Sequence, residues 1–128
     1  MNGHTRQRGG GALTLTMNMD KFQLLCSNLR RAHAPVAEFA KLMQDRGNPV
    51  SAIQEPTHSA DGEISGLPGL NIITGGIKAR AAILALNSVN IIPCSYLSSR
   101  DLAVAIYDKM LLCSIYMDIE GNVNEYCQ

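Results

Sequence analysis

Val50-Ser51-Ala52-Ile53-Gln54-Glu55-Pro56, read together with Phe22-Gln23-Leu24-Leu25-Cys26-Ser27-Asn28, decides how this chain folds. Each is a short, mostly apolar run of a length that suits a buried strand. Between them, Val36, Phe39, Ala40 and Met43 recur at i, i+3, i+4 and i+7 just after Pro35, which predicts a helix over about 34–46 with one apolar stripe. Glu38, Lys41, Gln44, Asp45 and Arg46 take the other face, and Gly47-Asn48-Pro49 stops the helix. A strand, a helix and a second strand with so short a crossover imply two parallel neighbours in one sheet.

Downstream, Glu55 to Pro68 holds two prolines and two glycines with His58, Ser59, Asp61 and Glu63, the composition of a surface loop. Loops of this kind concentrate function. Leu70–Ile73, Ala81–Leu86 and Val89–Ile92 then read as successive strands separated by Gly75-Gly76 and Asn87-Ser88. Leu102–Tyr107 and Met110–Tyr116 flank Asp108-Lys109 and form a predicted tight hairpin. Upstream, Arg6 and Arg8 run into Gly9-Gly10-Gly11, and residues 1–20 are expected to be a disordered lead-in.

The chain has 128 residues with 11 Lys+Arg against 11 Asp+Glu, enough for one domain and one core but not two. Zero net charge removes the broad basic field of a protein that lives on phosphate backbone, so any nucleic-acid contact must be local. Cys26, Cys94, Cys113 and Cys127 include no C-x-x-C pair and only three histidines accompany them, which argues against a zinc site or a disulfide scaffold. They are expected to pack as small hydrophobes in a reduced, intracellular setting, in the nucleus or the cytoplasm. The apolar runs, such as Ala79–Leu86, fall far short of the ~20 residues of a membrane span.

Three residues with chemical potential stand at strand ends: Asn28 after the first strand, Glu55 just past the second, Tyr116 at the last. Groups at equivalent ends of neighbouring strands converge on one edge of a sheet, where α/β folds place ligands. Glu55 can hold a hard divalent cation, which often needs only one or two protein carboxylates beside a substrate phosphate. Asn28 and Tyr116 can donate to phosphate oxygens from two sides. Asn28 equally suits a turn with a local backbone hydrogen bond, and Tyr116 a half-buried strand aromatic. Lys78 and Arg80, after Gly75-Gly76, can touch a phosphate backbone or simply face water.

Cys26-Ser27-Asn28-Leu29, Ala52-Ile53-Gln54-Glu55-Pro56, Arg80-Ala81-Ala82-Ile83 and Cys113-Ser114-Ile115-Tyr116-Met117-Asp118-Ile119 follow in the order and spacing of the endonuclease/exonuclease/phosphatase superfamily. Over Phe22–Ile119 the chain resembles the apurinic-endonuclease-like domain of non-LTR retrotransposons, with Gln54-Glu55-Pro56 the most specific element. The resemblance implies an α/β (α+β) fold, the N-terminal half of a four-layered α/β sandwich with a mixed sheet, with 21–128 as a truncated copy of that domain. It also implies a magnesium-dependent enzyme that nicks DNA for reverse transcription, with a reverse-transcriptase domain in the parent polyprotein. Carried over by position, Glu55 is the Mg2+ ligand, Asn28 lies at the metal and phosphate, and Tyr116 contacts the substrate.

The family's later half supplies an Asp-x-Asn element, a further Asp and a closing Asp-His pair, and none of these occurs in this chain. Only 12 residues follow Tyr116, and His4, His33 and His58 all precede it. General-base help and part of the charge stabilisation at phosphorus are therefore missing, and the chain alone is expected to be inactive. Two other readings remain at this stage: a non-catalytic binding module derived from the fold, and a phosphatase-like enzyme of the same superfamily.

Overall fold

The computed structural model describes residues 2–9, 12–19, 22–30, 33–47, 49–65 and 69–117, with side chains from residue 24 onward except 31–37. In chain order these form β1 (Asn2–Gly9), β2 (Ala12–Met19), β3 (Phe22–Asn28), α1 (His33–Arg46), β4 (Val50–Gln54), β5 (Leu70–Ile73), β6 (Ala81–Leu86), β7 (Ile92–Pro93), β8 (Leu102–Tyr107) and β9 (Met110–Ile115). The expected parallel pair is β3 beside β4, in register from Leu24↔Val50 to Asn28↔Gln54. Around it the first sheet runs β1-β2-β3-β4-β6-β5, and β7-β8-β9 make a second, antiparallel sheet. The other described pairings of the first sheet are antiparallel, so that sheet is mixed. This is the partial α+β sandwich the sequence implied.

Two apolar layers follow from period-two alternation in the central strands. Ile53, Ala82 and Leu84 face α1 and pack with Leu25, Leu29, Phe39, Ala40 and Met43. Val50, Ile83 and Ala85 face the other way and pack with Ile73, Ile91, Ala103 and Ala105 of the facing elements. β4 and β6 are thus covered on both sides, which is why they read as unbroken apolar runs. Of the helix stripe, Phe39, Ala40 and Met43 are buried, while the side chain of Val36 lies outside the described residues. The outer side of the second sheet stays open, with Ile92, Ile106, Leu111 and Ile115 exposed.

Three expectations need correction. Residues 1–20 were expected to be disordered, yet Asn2–Gly9 and Ala12–Met19 pair as strands, and β2 runs antiparallel to β3 from Leu13↔Asn28 to Met19↔Phe22. Leu13, Leu15, Met17 and Met19 alternate with Thr14, Thr16 and Asn18, a strand period that the glycine triplet obscured. The Val89–Ile92 strand shrinks to the two-residue β7, because Val89 closes a turn on Leu86 (N–H to O, 2.9 Å) and Pro93 has no N–H to extend a ladder. Cys94 is buried as expected, but Cys113 is exposed on β9. The 108–109 hairpin is as expected: Asp108 (φ 47) and Lys109 (φ 66) both take the left-handed conformation that a two-residue turn of this twist demands.

Candidate functional site

β4 ends at Gln54, and the chain turns sharply at Glu55, which adopts a left-handed backbone (φ 51) before the buried Pro56. Such a conformation costs a residue with a Cβ about 1–2 kcal/mol and persists only where neighbours over-determine it. They do so here: the Glu55 N–H donates to the Arg80 carbonyl at 2.9 Å, and the next strand end is tied in by the Leu29 N–H to the Gln54 carbonyl at 2.9 Å. The carboxylate of Glu55 therefore leaves the sheet end in a fixed direction.

Tyr116, the residue after β9, reaches that carboxylate from the second sheet. Its hydroxyl donates to Glu55 Oε1 at 3.0 Å, bridging 61 residues of sequence. The approach of the two strand ends is fixed just below by Ser114, which is buried. Its hydroxyl donates to the Ile53 carbonyl at 2.8 Å and accepts from Gln54 Nε2 at 3.0 Å. The glutamine of Gln54-Glu55-Pro56 thus pins β9 against β4, two residues before the tyrosine.

Arg80 covers the other side of the tyrosine, its guanidinium carbon 4.6 Å from the ring centroid. Asp101 grips that guanidinium with both oxygens, accepting from Nε at 2.7 Å and from Nη2 at 2.6 Å. The Asp101 carbonyl also accepts the Tyr116 N–H at 2.9 Å. The planar fork of arginine matches a carboxylate bidentately and stacks on an aromatic face at the same time. Glu55, Tyr116, Arg80 and Asp101 are consequently one connected unit.

Asn28 lies at the same end of the sheet, level with Gln54 in the β3–β4 register. Its Oδ1 accepts the backbone N–H of Arg30 at 2.9 Å, where Arg30 is itself left-handed (φ 53). The local turn reading of Asn28 therefore holds, and its amide nitrogen keeps two donors for another acceptor. Lys78 is exposed, whereas Arg80 belongs to the cluster. Asp101 was not singled out from sequence: its pairing with Arg80 joins positions 21 apart, one just before β6 of the first sheet and the other just before β8 of the second, and no local pattern marks it.

Among the described residues no three His, Cys, Asp or Glu side chains gather as a metal-binding group. Among the described residues at this sheet end the Asp101 carboxylate is engaged by Arg80, and Glu55 offers the other, with one oxygen taken by Tyr116 and further lone pairs open. That donor set fits a magnesium ion that keeps most of its waters and shares a substrate phosphate; it does not make an all-protein cage. No described helix is long and apolar enough to cross a membrane.

No family model and no curated protein matches this sequence. Among solved structures the chain is similar to the endonuclease domain of TRAS1, a telomere-specific non-LTR retrotransposon, with a TM-score of 0.63 at 19% identity. The match covers 82% of this chain and 50% of that one, so the chain spans about half the length of this structural relative. The likeness confirms the fold that the sequence implied.

Proposed function

We propose that this chain carries the N-terminal half of a magnesium-dependent DNA endonuclease domain of the retrotransposon kind, and that Glu55, Tyr116 and Asn28 are its share of the site. The observation that carries the proposal is the 3.0 Å hydrogen bond between Tyr116 and Glu55, made between two sheets at one end of a fold similar to such a domain. Residues 21–128 are assigned to the half-domain, whose first sheet β2 and β1 extend beside β3, and a reverse-transcriptase domain is assigned to the same parent polyprotein.

In this reading Glu55 holds the cation by its carboxylate. When bound, magnesium neutralises phosphate charge and supports departure of the leaving oxygen. Tyr116 donates its hydroxyl hydrogen to the carboxylate and so orients Glu55 at the edge where the substrate arrives. Asn28, its Oδ1 held by Arg30, donates from Nδ2 to a second phosphate oxygen. Arg80, gripped by Asp101, keeps the tyrosine ring in place. No group in this set takes a proton from water. General acid–base help commonly contributes about 10²–10⁴-fold, so the 128 residues alone nick DNA poorly.

Nicking of supercoiled plasmid with magnesium tests the reading. The chain, a version extended with the second half of such a domain, and the Glu55→Ala variant of each are compared. Nicking by the extended version alone, lost again with Glu55→Ala, is expected. Equal nicking by the extended version with and without Glu55 would overturn the assignment.

A further inference from the structure

Beside the Glu55–Tyr116 pair, and sharing Arg80 with it, lies a half-open pocket of about 300 Å3. His58, Lys78, Arg80 and Arg100 line it, and no carboxylate does. In a chain of 11 cations and 11 acids, three cations around one small pocket form a local concentration of positive charge. Arg80 is balanced by Asp101, so Lys78 and Arg100, both exposed, supply the excess.

The walls are stitched together. The Lys78 N–H donates to the Gly62 carbonyl at 2.8 Å, and the Arg80 N–H donates to the Arg100 carbonyl at 2.7 Å. His58 Nε2 lies 2.7 Å from the Ala79 carbonyl. A carbonyl only accepts, so Nε2 carries the hydrogen. Lys78 is held left-handed (φ 54) against Gly62, where an added Cβ would stand 3.3 Å from Lys78 Cγ. Gly75 locks the neighbouring turn: an added Cβ would collide with the Ser99 backbone, one residue before Arg100. The two exposed cations thus rise from a fixed frame, which reduces the ordering cost of closing them on an anion.

We infer that this pocket seats a backbone phosphate of the DNA strand, adjoining the phosphodiester presented to Glu55 and Tyr116. The inference rests on the DNA-nicking reading and supplies the local contact that a chain of zero net charge requires. Lys78 and Arg100 bind the phosphate oxygens. They contribute affinity and strand register without reading sequence.

The test is binding of a fluorescein-labelled DNA duplex to the full chain by anisotropy across a salt series. Wild type, Lys78→Ala/Arg100→Ala and a charge-matched control, Lys41→Ala/Lys109→Ala, are compared. Each phosphate contact contributes about 0.9 to the slope of log affinity against log salt, so losing both cations is expected to lower the slope by about 1 to 2. The control keeps the wild-type slope. Equal slopes for the pocket variant and the control would overturn the inference while leaving DNA as the substrate. Failure of the wild type to bind DNA at low salt would overturn the nicking reading and the inference together. All substituted residues are exposed, and unchanged urea midpoints verify that each variant folds.

Discussion

Asp101→Ala removes the carboxylate that holds Arg80 over Tyr116. Exposed ion pairs contribute about 0–1 kcal/mol, whereas removing one partner of a fully buried pair costs about 3–5 kcal/mol. The side chains of Arg80 and Asp101 are 17% and 27% exposed, and both oxygens are engaged. Water reaches the guanidinium only in part, and the loss falls between those limits, at about 2 kcal/mol. With a denaturant slope of about 1–3 kcal/mol/M, the urea midpoint drops by roughly 1 M. A double-mutant cycle with Arg80→Met isolates the pair, with a coupling of about 1–2 kcal/mol expected. Stacking on Tyr116 is worth a further ~0.5–1 kcal/mol, so Arg80→Met alone costs slightly more than Asp101→Ala. A coupling below about 0.3 kcal/mol would refute the idea that this pair locks the tyrosine.

Ser51 is fully buried and its hydroxyl has no partner among the described residues, so Ser51→Ala is expected to stabilise the chain by about 1 kcal/mol in urea unfolding. Lys109→Gly relieves a left-handed turn residue and is expected to add up to about 1 kcal/mol in the same assay. Burial pushes the Cys26 thiol up, disfavouring the reactive thiolate, while Cys113 is exposed; a thiol reagent near neutral pH is expected to label Cys113 well before Cys26. The Ser59 hydroxyl, helped by backbone N–H donors, holds the Asp61 carboxyl below its ordinary range. Its stabilising bonds are present above the unfolded-state value and are lost as pH falls through the lower folded value. Ser59→Ala is expected to raise the Asp61 titration midpoint measured by carbon NMR.

The strand–helix–strand unit was legible because its signals are local: two apolar runs, a 3.6-period stripe and a Gly-Asn-Pro stop. The Glu55–Tyr116 meeting was legible from their places at strand ends, which converge on one sheet edge, and from the likeness to a known order of motifs, although nothing within either segment specifies a partner 61 residues away. The Arg80–Asp101 grip was not legible at all. Arg80 read as a phosphate contact or a solvated cation, Asp101 was not singled out, and only the stacking of the sheets makes them half-buried partners. β2 was missed for the opposite reason: its alternation was present, but the glycines before it outweighed a pattern that pairing with β3 makes decisive.

Manganese titration of the nitrogen-15-labelled chain, followed by paramagnetic broadening of amide signals, bears most directly on Glu55 as the cation-holding carboxylate of a phosphodiester site. Broadening is expected first at Glu55, Tyr116 and the Asn28–Leu29 end of β3, and it is expected to vanish in Glu55→Gln while the rest of the spectrum is kept. Broadening that centres on Asp61 and Glu63, or that survives Glu55→Gln unchanged, would contradict it.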